Sequence, residues 1–283
     1  MSVARNHRRR SLFIILSILI ILGLVAGYAF KIEPRLLAVR RVTVASANLP
    51  ENWEGRKVAF FSDVHIGRGY TPELLANAVA AMAQEKPDLV LFGGDMVDNH
   101  TPLDQTFSAE VGAILAEVQA PYGKFAIPGN HDNRLRAELQ AARTMLETGG
   151  FTMLTNEVRV IDGIQLGGLD ESYFGKPDFE KTFSDLPDDQ FRLVLMHQPD
   201  YLPAQQSVAM DLILSGHSHR GQVTLFGRPI FTVYQGRKYP YGAYKLDERR
   251  QLYVSGGLGT VAVNARLFAR PEVVIITLTR VED

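Results

Sequence analysis

The stretch Ser215-Gly216-His217-Ser218-His219-Arg220-Gly221 sets two imidazoles one residue apart, between glycines, directly after the apolar run Asp211-Leu212-Ile213-Leu214. Alternate side chains on extended backbone share a face, so His217 and His219 are expected to converge on one object. A metal ion is the object that two neutral imidazoles most readily share. Alone, a His-x-His is equally a polar loop after a buried strand, so its reading depends on partners elsewhere in the chain.

Those partners sit at the ends of other apolar runs. Lys57 to Phe61 leads into Ser62-Asp63-Val64-His65, Asp88 to Phe92 into Gly93-Gly94-Asp95, Lys124 to Ile127 into Pro128-Gly129-Asn130-His131-Asp132, and Arg192 to Met196 into His197-Gln198-Pro199. Of seven histidines only His7 and His100 lie outside these segments, which scattered surface histidines would not give. Between the runs the pattern turns helical. Thr71-Pro72-Glu73 combines an N-cap, a proline suited to the first helical position and an acid in the first turn, ahead of a helix to about Lys86. Further helices are predicted from Phe107 to Val118 and from about Arg134, where Leu135, Leu139, Ala142 and Leu146 share a face. Strands dominate from Val158 onward.

This alternation predicts a layered α/β fold, and ligands of open α/β sheets bind beyond the carboxyl ends of the strands. Five chemistry-bearing ends can therefore meet in one crevice. Each segment also has a plain reading: Asp63-x-His65 as a cap, Gly94-Asp95 as a turn, Asn130-His131-Asp132 as a hydrogen-bonded turn. The ordered set outweighs them.

The succession Asp63-x-His65, Gly94-Asp95, Gly129-Asn130-His131-Asp132, His197, Gly216-His217-x-His219 resembles the signature of the calcineurin-like metallophosphoesterase superfamily. The resemblance implies a four-layer αββα sandwich with two divalent metal ions, Mn, Zn or Fe, in its cleft, and hydrolysis of a phosphoric ester by a bridging hydroxide. It implies Asp63, His65 and His219 as ligands of the first ion, Asn130, His197 and His217 of the second, and Asp95 as the bridge. A shared carboxylate offsets the repulsion of two cations about 3.5 to 4 Å apart, which is the electrostatic sense of that allocation. His131 is expected to protonate the leaving oxygen, with Asp132 orienting its ring; Asp132 as a cap of the next helix is the alternative.

Departures narrow the branch. Gly94-Asp95-Met96-Val97-Asp98-Asn99 lacks the arginine that serine/threonine protein phosphatases carry in this stretch, and Asp98 stands where purple acid phosphatases have a tyrosine. Together with the chain's size, its apolar N-terminal segment and Gly216 to Gln222, this is similar to bacterial membrane-anchored phosphodiesterases of the YkuE/YaeI type. That similarity implies a lipid-linked phosphodiester or pyrophosphate such as UDP-2,3-diacylglucosamine, or alternatively a cell-envelope polymer. Arg68 and Arg220, beside the motifs, are the expected substrate contacts; Arg134, Arg237, Lys238 and Arg266 are further candidates for a second phosphate.

Arg5, Arg8, Arg9 and Arg10 precede Ser11 to Phe30, which carries no charge. Twenty helical residues span about 30 Å, the thickness of a bilayer's hydrocarbon core. The chain thus divides into a basic tail (1–10), a transmembrane anchor (11–30), a juxtamembrane linker (31–49) and a catalytic domain (50–283). Arg9-Arg10-Ser11-Leu12-Phe13 is similar to a twin-arginine export signal, which implies a single-pass membrane protein with an extracytoplasmic catalytic domain; the cluster reads equally as a generic membrane flank.

The chain has 30 Lys and Arg against 31 Asp and Glu, so the part beyond those four arginines is acidic by about five charges. Such a body is not drawn to polyanions, and no nucleic-acid partner is expected. With no cysteine, disulfides, thiolate sites and cysteine nucleophiles are excluded, and metal ligands must be N or O. A non-catalytic metal-binding scaffold remains the alternative to an enzyme, and its mark would be degenerate ligands.

Overall fold

The computed structural model describes residues 2–67, 69–184, 186–202 and 208–281. Helix α1 (Ser2–Gly27) carries the apolar segment, continues through a wide turn at Tyr28–Ile32 and ends in a short 3-10 turn at Glu33–Arg35. Its leucines and isoleucines from Leu12 to Leu24 are exposed, as a helix meant for lipid requires. It is long and apolar enough to cross a membrane.

The first sheet runs in the order β1 (Ala38–Ser46), β14 (Glu272–Arg280), β2 (Lys57–Phe61), β3 (Leu89–Phe92), β4 (Lys124–Ala126) and β5 (Thr152–Met153). The second runs β12 (Gly242–Lys245), β13 (Gln251–Val254), β9 (Leu212–Ser215), β8 (Arg192–Leu195), β7 (Ile164–Gly168), β6 (Glu157–Ile161). Strands β2 to β5 are mutually parallel, as are β7, β8, β9 and β13. A hairpin of β10 (Thr224–Leu225) and β11 (Arg228–Pro229) stands apart.

The two sheets face each other through Phe60, Leu91 and Ile276 on one side and Leu166, Leu193 and Leu214 on the other. Buried on both faces, the strands read as continuous apolar runs. The outer face of the first sheet, with Phe61, Phe92 and Ile275, is covered by α2 (Pro72–Gln84), α3 (Gln105–Ala116) and α5 (Arg136–Thr148). Thr71 caps α2 as its sequence predicts, accepting from Leu74 N–H, and Asp104 caps α3. The outer face of the second sheet is covered more thinly, by the five-residue α6 (Phe179–Phe183) and by loops bearing Met210 and Tyr239. The αββα order holds, with a fourth layer that is mostly loop.

The segment 31–49 is not a linker. Residues Ala38–Ser46 pair with β14 in parallel register, from Ala38 opposite Glu272 to Ser46 opposite Arg280. Glu33 is buried, its Oε1 accepting from Ala269 N–H at 2.6 Å, and Ala29 O accepts from Arg266 N–H at 2.9 Å. The folded domain therefore begins before Pro50. Arg40 and Arg41, both exposed, break the apolar run that would have marked an edge strand.

Candidate metal centre

The crevice lies where β2, β3, β8 and β9 end, with α4 (Asn130–Asn133) following β4 on its rim. Asp63, His65 and His219 place ligand atoms within 4.8 Å of one another; so do Asp95, His197 and His217, and so do His65, Asp95 and His131. Asp95 and His65 are each shared by two of these groups. All are buried except His131, which is half-buried.

The backbone works hard to achieve this. Asp63, His65, Asp95, His217 and His219 all have positive φ, between 44° and 68°. Left-handed backbone at non-glycine residues is costly and persists where the surroundings impose it, commonly at functional sites. It also corrects the reading of the His-x-His motif. His217 and His219 do not lie on extended backbone or share one object: the chain turns, sending His217 to Asp95 and His197, and His219 to Asp63 and His65.

The histidines are oriented from behind. His197 Nδ1 contacts Gly93 O at 2.7 Å, which places its proton there and aims Nε2 at Asp95 Oδ2, 3.2 Å away. His217 Nε2 is taken by Tyr234 O at 2.8 Å and the Tyr173 hydroxyl at 3.1 Å, leaving Nδ1 as its free nitrogen. His65 and His219 bring their Nε2 atoms to 3.1 Å, and His219 Nε2 lies 3.5 Å from Asp63 Oδ1. His65 Nδ1, His131 Nδ1, His197 Nε2 and His219 Nδ1 are buried without a hydrogen-bond partner. The Nε2 atoms of His65 and His197 lie 3.6 and 3.2 Å from Asp95 Oδ2 and that of His219 3.5 Å from Asp63 Oδ1, and such crowding of imidazole nitrogens on carboxylate oxygens in a buried, cysteine-free O/N set fits divalent cations.

Protonation follows the same logic. Burial pushes His65 down to about 3 and His217 down to about 4, and lowers His219 well below its ordinary value, so these three are neutral. Burial opposes charge on His197 too, but the Asp95 carboxylate outweighs it and pushes the imidazole up to about 10. Burial pushes Asp63 up to about 6, with His197 opposing and Asp95 reinforcing the shift.

Asp132 differs from expectation. Its carboxylate does not reach the His131 ring: Oδ2 accepts from the N–H groups of Asp95 (2.8 Å) and Gly129 (3.0 Å), Oδ1 from Met96 (2.8 Å) and Val97 (3.0 Å). It shapes the Asp95 loop instead. His131 N–H donates to Asp95 Oδ1 at 2.8 Å, and its ring stands edge-on to His65 with centroids 4.7 Å apart. Asn130 is buried, its Oδ1 receiving a long 3.4 Å contact from Gln198 Nε2.

Arg68 lies outside the described residues. Arg220 sits 4.2 Å above the Tyr241 ring, its Nε buried and unpartnered. Arg266 is wholly buried and donates to the carbonyls of Gly256, Gly257, Gly259 and Ala269, which makes it a scaffold for its loop rather than a phosphate contact. Arg134 pairs with Glu138.

The site also uses residues the sequence reading passed over. Glu171 is fully buried and accepts from Tyr173, Phe174 and Gly175 N–H, all at 2.7 Å, and from Gln198 Nε2 at 3.2 Å, so it steadies both Gln198 and the Tyr173 loop. The signal was present. Strand β7 runs into Leu169-Asp170-Glu171, one more apolar run ending in acids.

Residues 56–221 match the calcineurin-like phosphoesterase family. The chain is 34% identical to the uncharacterized metallophosphoesterase YkuE of Bacillus subtilis (strain 168), over 89% of each chain. It is 33% identical to phosphodiesterase YaeI of Escherichia coli (strain K12), over 89% of this chain and 92% of the other. A Danio rerio transmembrane protein with metallophosphoesterase domain is 27% identical, over 92% of this chain and 61% of that one. The chain belongs to the calcineurin-like phosphoesterases, hydrolases of phosphoric esters, and its apolar α1 fits a single-pass membrane protein.

Proposed function

We propose that this chain is a membrane-anchored phosphodiesterase holding two divalent cations, Mn, Zn or Fe, among Asp63, His65, Asp95, Asn130, His197, His217 and His219. The observation that carries the reading is the pair of His/Asp groups with Asp95 between them. Bound there, the cations would supply Lewis acidity toward phosphoryl oxygen and an activated water near neutral pH.

The chain's own residues supply the rest. Asp95, its Oδ1 held by His131 N–H, keeps Oδ2 turned toward both His65 and His197. His131 stands at the rim of the group with a free ring nitrogen and serves as the acid that protonates the leaving oxygen. Asp132 acts through Asp95 as a positioning residue. Arg220, stacked on Tyr241 with an uncommitted Nε, is the described arginine suited to a second phosphate.

The substrate class is a lipid-linked phosphodiester or pyrophosphate such as UDP-2,3-diacylglucosamine, supported by the fastening of the anchor to the loop that carries Arg266. A cell-envelope polymer is the second reading, favoured by the export-like Arg9-Arg10 pair, which also supports an extracytoplasmic catalytic domain. The purified full chain with Mn²⁺ or Zn²⁺ is expected to hydrolyse bis(p-nitrophenyl) phosphate, to stop on chelation and to resume on metal addition. No turnover with any divalent ion at confirmed occupancy rejects the enzymatic reading. A reporter fused after Asp283 reads the membrane side.

A further inference from the structure

Between the anchor and the domain runs an apolar groove of about 580 Å³, within the range of small-molecule sites. One wall is the last turns of the membrane span: Leu22, Val25, Ala26 and Phe30. The other is Val223 and Phe231 from around the β10–β11 hairpin, with Val263 and Leu267 from the loop 260–268. Its inner end is Ser218 and His219, and His219 is a member of the Asp63 and His65 group. The groove thus extends from side chains that belong in hydrocarbon to the edge of the metal centre.

Its walls are fixed to each other. Thr224 N–H donates to Leu267 O at 2.9 Å, tying hairpin to loop, and Arg266 N–H donates to Ala29 O, tying loop to anchor. The same hairpin and loop expose Phe226 (94%), Phe231 (77%) and Phe268 (60%). A soluble surface does not spend aromatic side chains in this way, whereas beside a membrane span they enter the interface.

We infer that this groove takes the hydrocarbon tail of the membrane lipid whose phosphodiester or pyrophosphate is cleaved, so that the tail enters sideways from the bilayer between α1 and the hairpin. The inference rests on the phosphodiesterase reading for the fate of the lipid, but not for its presence in the groove. A water-soluble occupant would find almost nothing there to hydrogen-bond, and an envelope polymer would gain nothing from a wall made by the span.

The test has two arms. The full chain, metal chelated, is reconstituted in vesicles of phosphatidylethanolamine and phosphatidylglycerol containing a phosphatidylglycerol with a diazirine on its acyl chain. Photolabel is expected on residues 261–267 and 230–233 as well as on α1. Ala26→Trp or Val263→Trp should cut the loop label severalfold while label at Leu12 to Leu16 persists. Label confined to α1 overturns the proposal. In the second arm, Mn²⁺-loaded protein is given hexadecyl and methyl p-nitrophenyl phosphate, and the ratio of their kcat/KM values is read. A preference of about tenfold or more for the long tail, falling toward unity in either tryptophan variant, supports the groove as the substrate's path. A ratio near one in the unaltered chain overturns it even if label is found, because the groove then holds a bystander lipid. Failure of both esters to turn over rejects the phosphodiesterase reading, while the labelling result still decides what occupies the groove.

Discussion

Asp132 holds Asp95 by its backbone: Asp132 Oδ2 accepts the Asp95 N–H at 2.8 Å, while Oδ1 takes the next two N–H groups along the chain. Asp95 stands at φ +62°, and these bonds help keep it there. Asp132→Asn replaces an acceptor oxygen with a donor, leaving one or two buried N–H groups unpaired. A stability loss of about 2 to 4 kcal/mol is expected in denaturant titration. Because the residue acts through Asp95, the rate should fall by the same factor for good and poor leaving groups. A loss confined to poor ones would return Asp132 to a role in proton delivery.

His131→Asn is expected to give the opposite pattern. Its ring reaches the Asp95 and His65 group from the rim, where a leaving oxygen can be met. Removing a general acid costs about 10² to 10⁴ in rate when the leaving group needs a proton, and little for p-nitrophenolate, which departs unaided. Alkyl and aryl diesters compared at saturating metal measure the difference.

Metal binding should release protons, and from an identifiable source. With His65, His217 and His219 already neutral, the proton that a cation must displace from the imidazole ligands at pH 7 is the one on His197, whose imidazole is pushed up to about 10 against the opposition of burial. A cation taking Nε2 displaces it. Below that pKa the competition strengthens as pH falls, so apparent affinity should rise about tenfold per pH unit from 7 to 9, with about one proton released per chain. Below about pH 6 the Asp63 proton adds to the competition. Calorimetry in buffers of different ionisation enthalpy counts the protons, and a flat affinity from pH 7 to 9 would contradict the assignment.

Gly129 lies against Asp95 so closely that a Cβ there would stand 2.1 Å from Asp95 Oδ1 and 2.3 Å from Asp95 N. Backbone cannot yield that much, so Gly129→Ala should push the ends of β3 and β4 apart. Loss of stability of about 1 to 3 kcal/mol and of metal stoichiometry together is the expected outcome, read by thermal melts and elemental analysis. Full metal content in the alanine variant would show that the Asp95 loop is free to move.

The site was legible where chemistry sits at strand ends. The runs ending in Asp63, Asp95, His197 and His217 are nearly continuous apolar stretches because both faces of β2, β3, β8 and β9 are covered, and composition alone reveals that, whereas β4 before Asn130 is only partly buried. What each side chain does once there was less legible. Asp132 and His131 are adjacent in sequence, yet one turns toward backbone and the other toward the crevice, a choice made by the Asp95 loop arriving from another strand. Likewise the positive φ of His217 and His219 comes from tertiary packing, and no local propensity announces it. The edge strand β1 was missed because it has only one sheet neighbour and its apolar run is broken by the adjacent Arg40 and Arg41, which in a short segment after an anchor reads as a linker.

That strand makes the last prediction. A soluble form beginning at Pro50, the boundary that hydrophobicity suggests, would lack β1 and expose the outer edge of β14 along all nine of its paired positions, Glu272 to Arg280. It would also leave Asp211 without the Ser46 hydroxyl that donates to it at 2.9 Å and without Asn48 Nδ2 at 2.7 Å. An uncovered edge bearing Val274, Ile276 and Leu278 is a template for pairing with another chain. The Pro50 form should therefore aggregate or melt well below a form beginning at Tyr28, which keeps β1, the buried Glu33 and the Ala29 to Arg266 bond. Both are read by size-exclusion chromatography and thermal denaturation. Equal melting of two monomers would mean that β1 contributes no more than a tether, and that the anchor is not rigidly held against the metal centre.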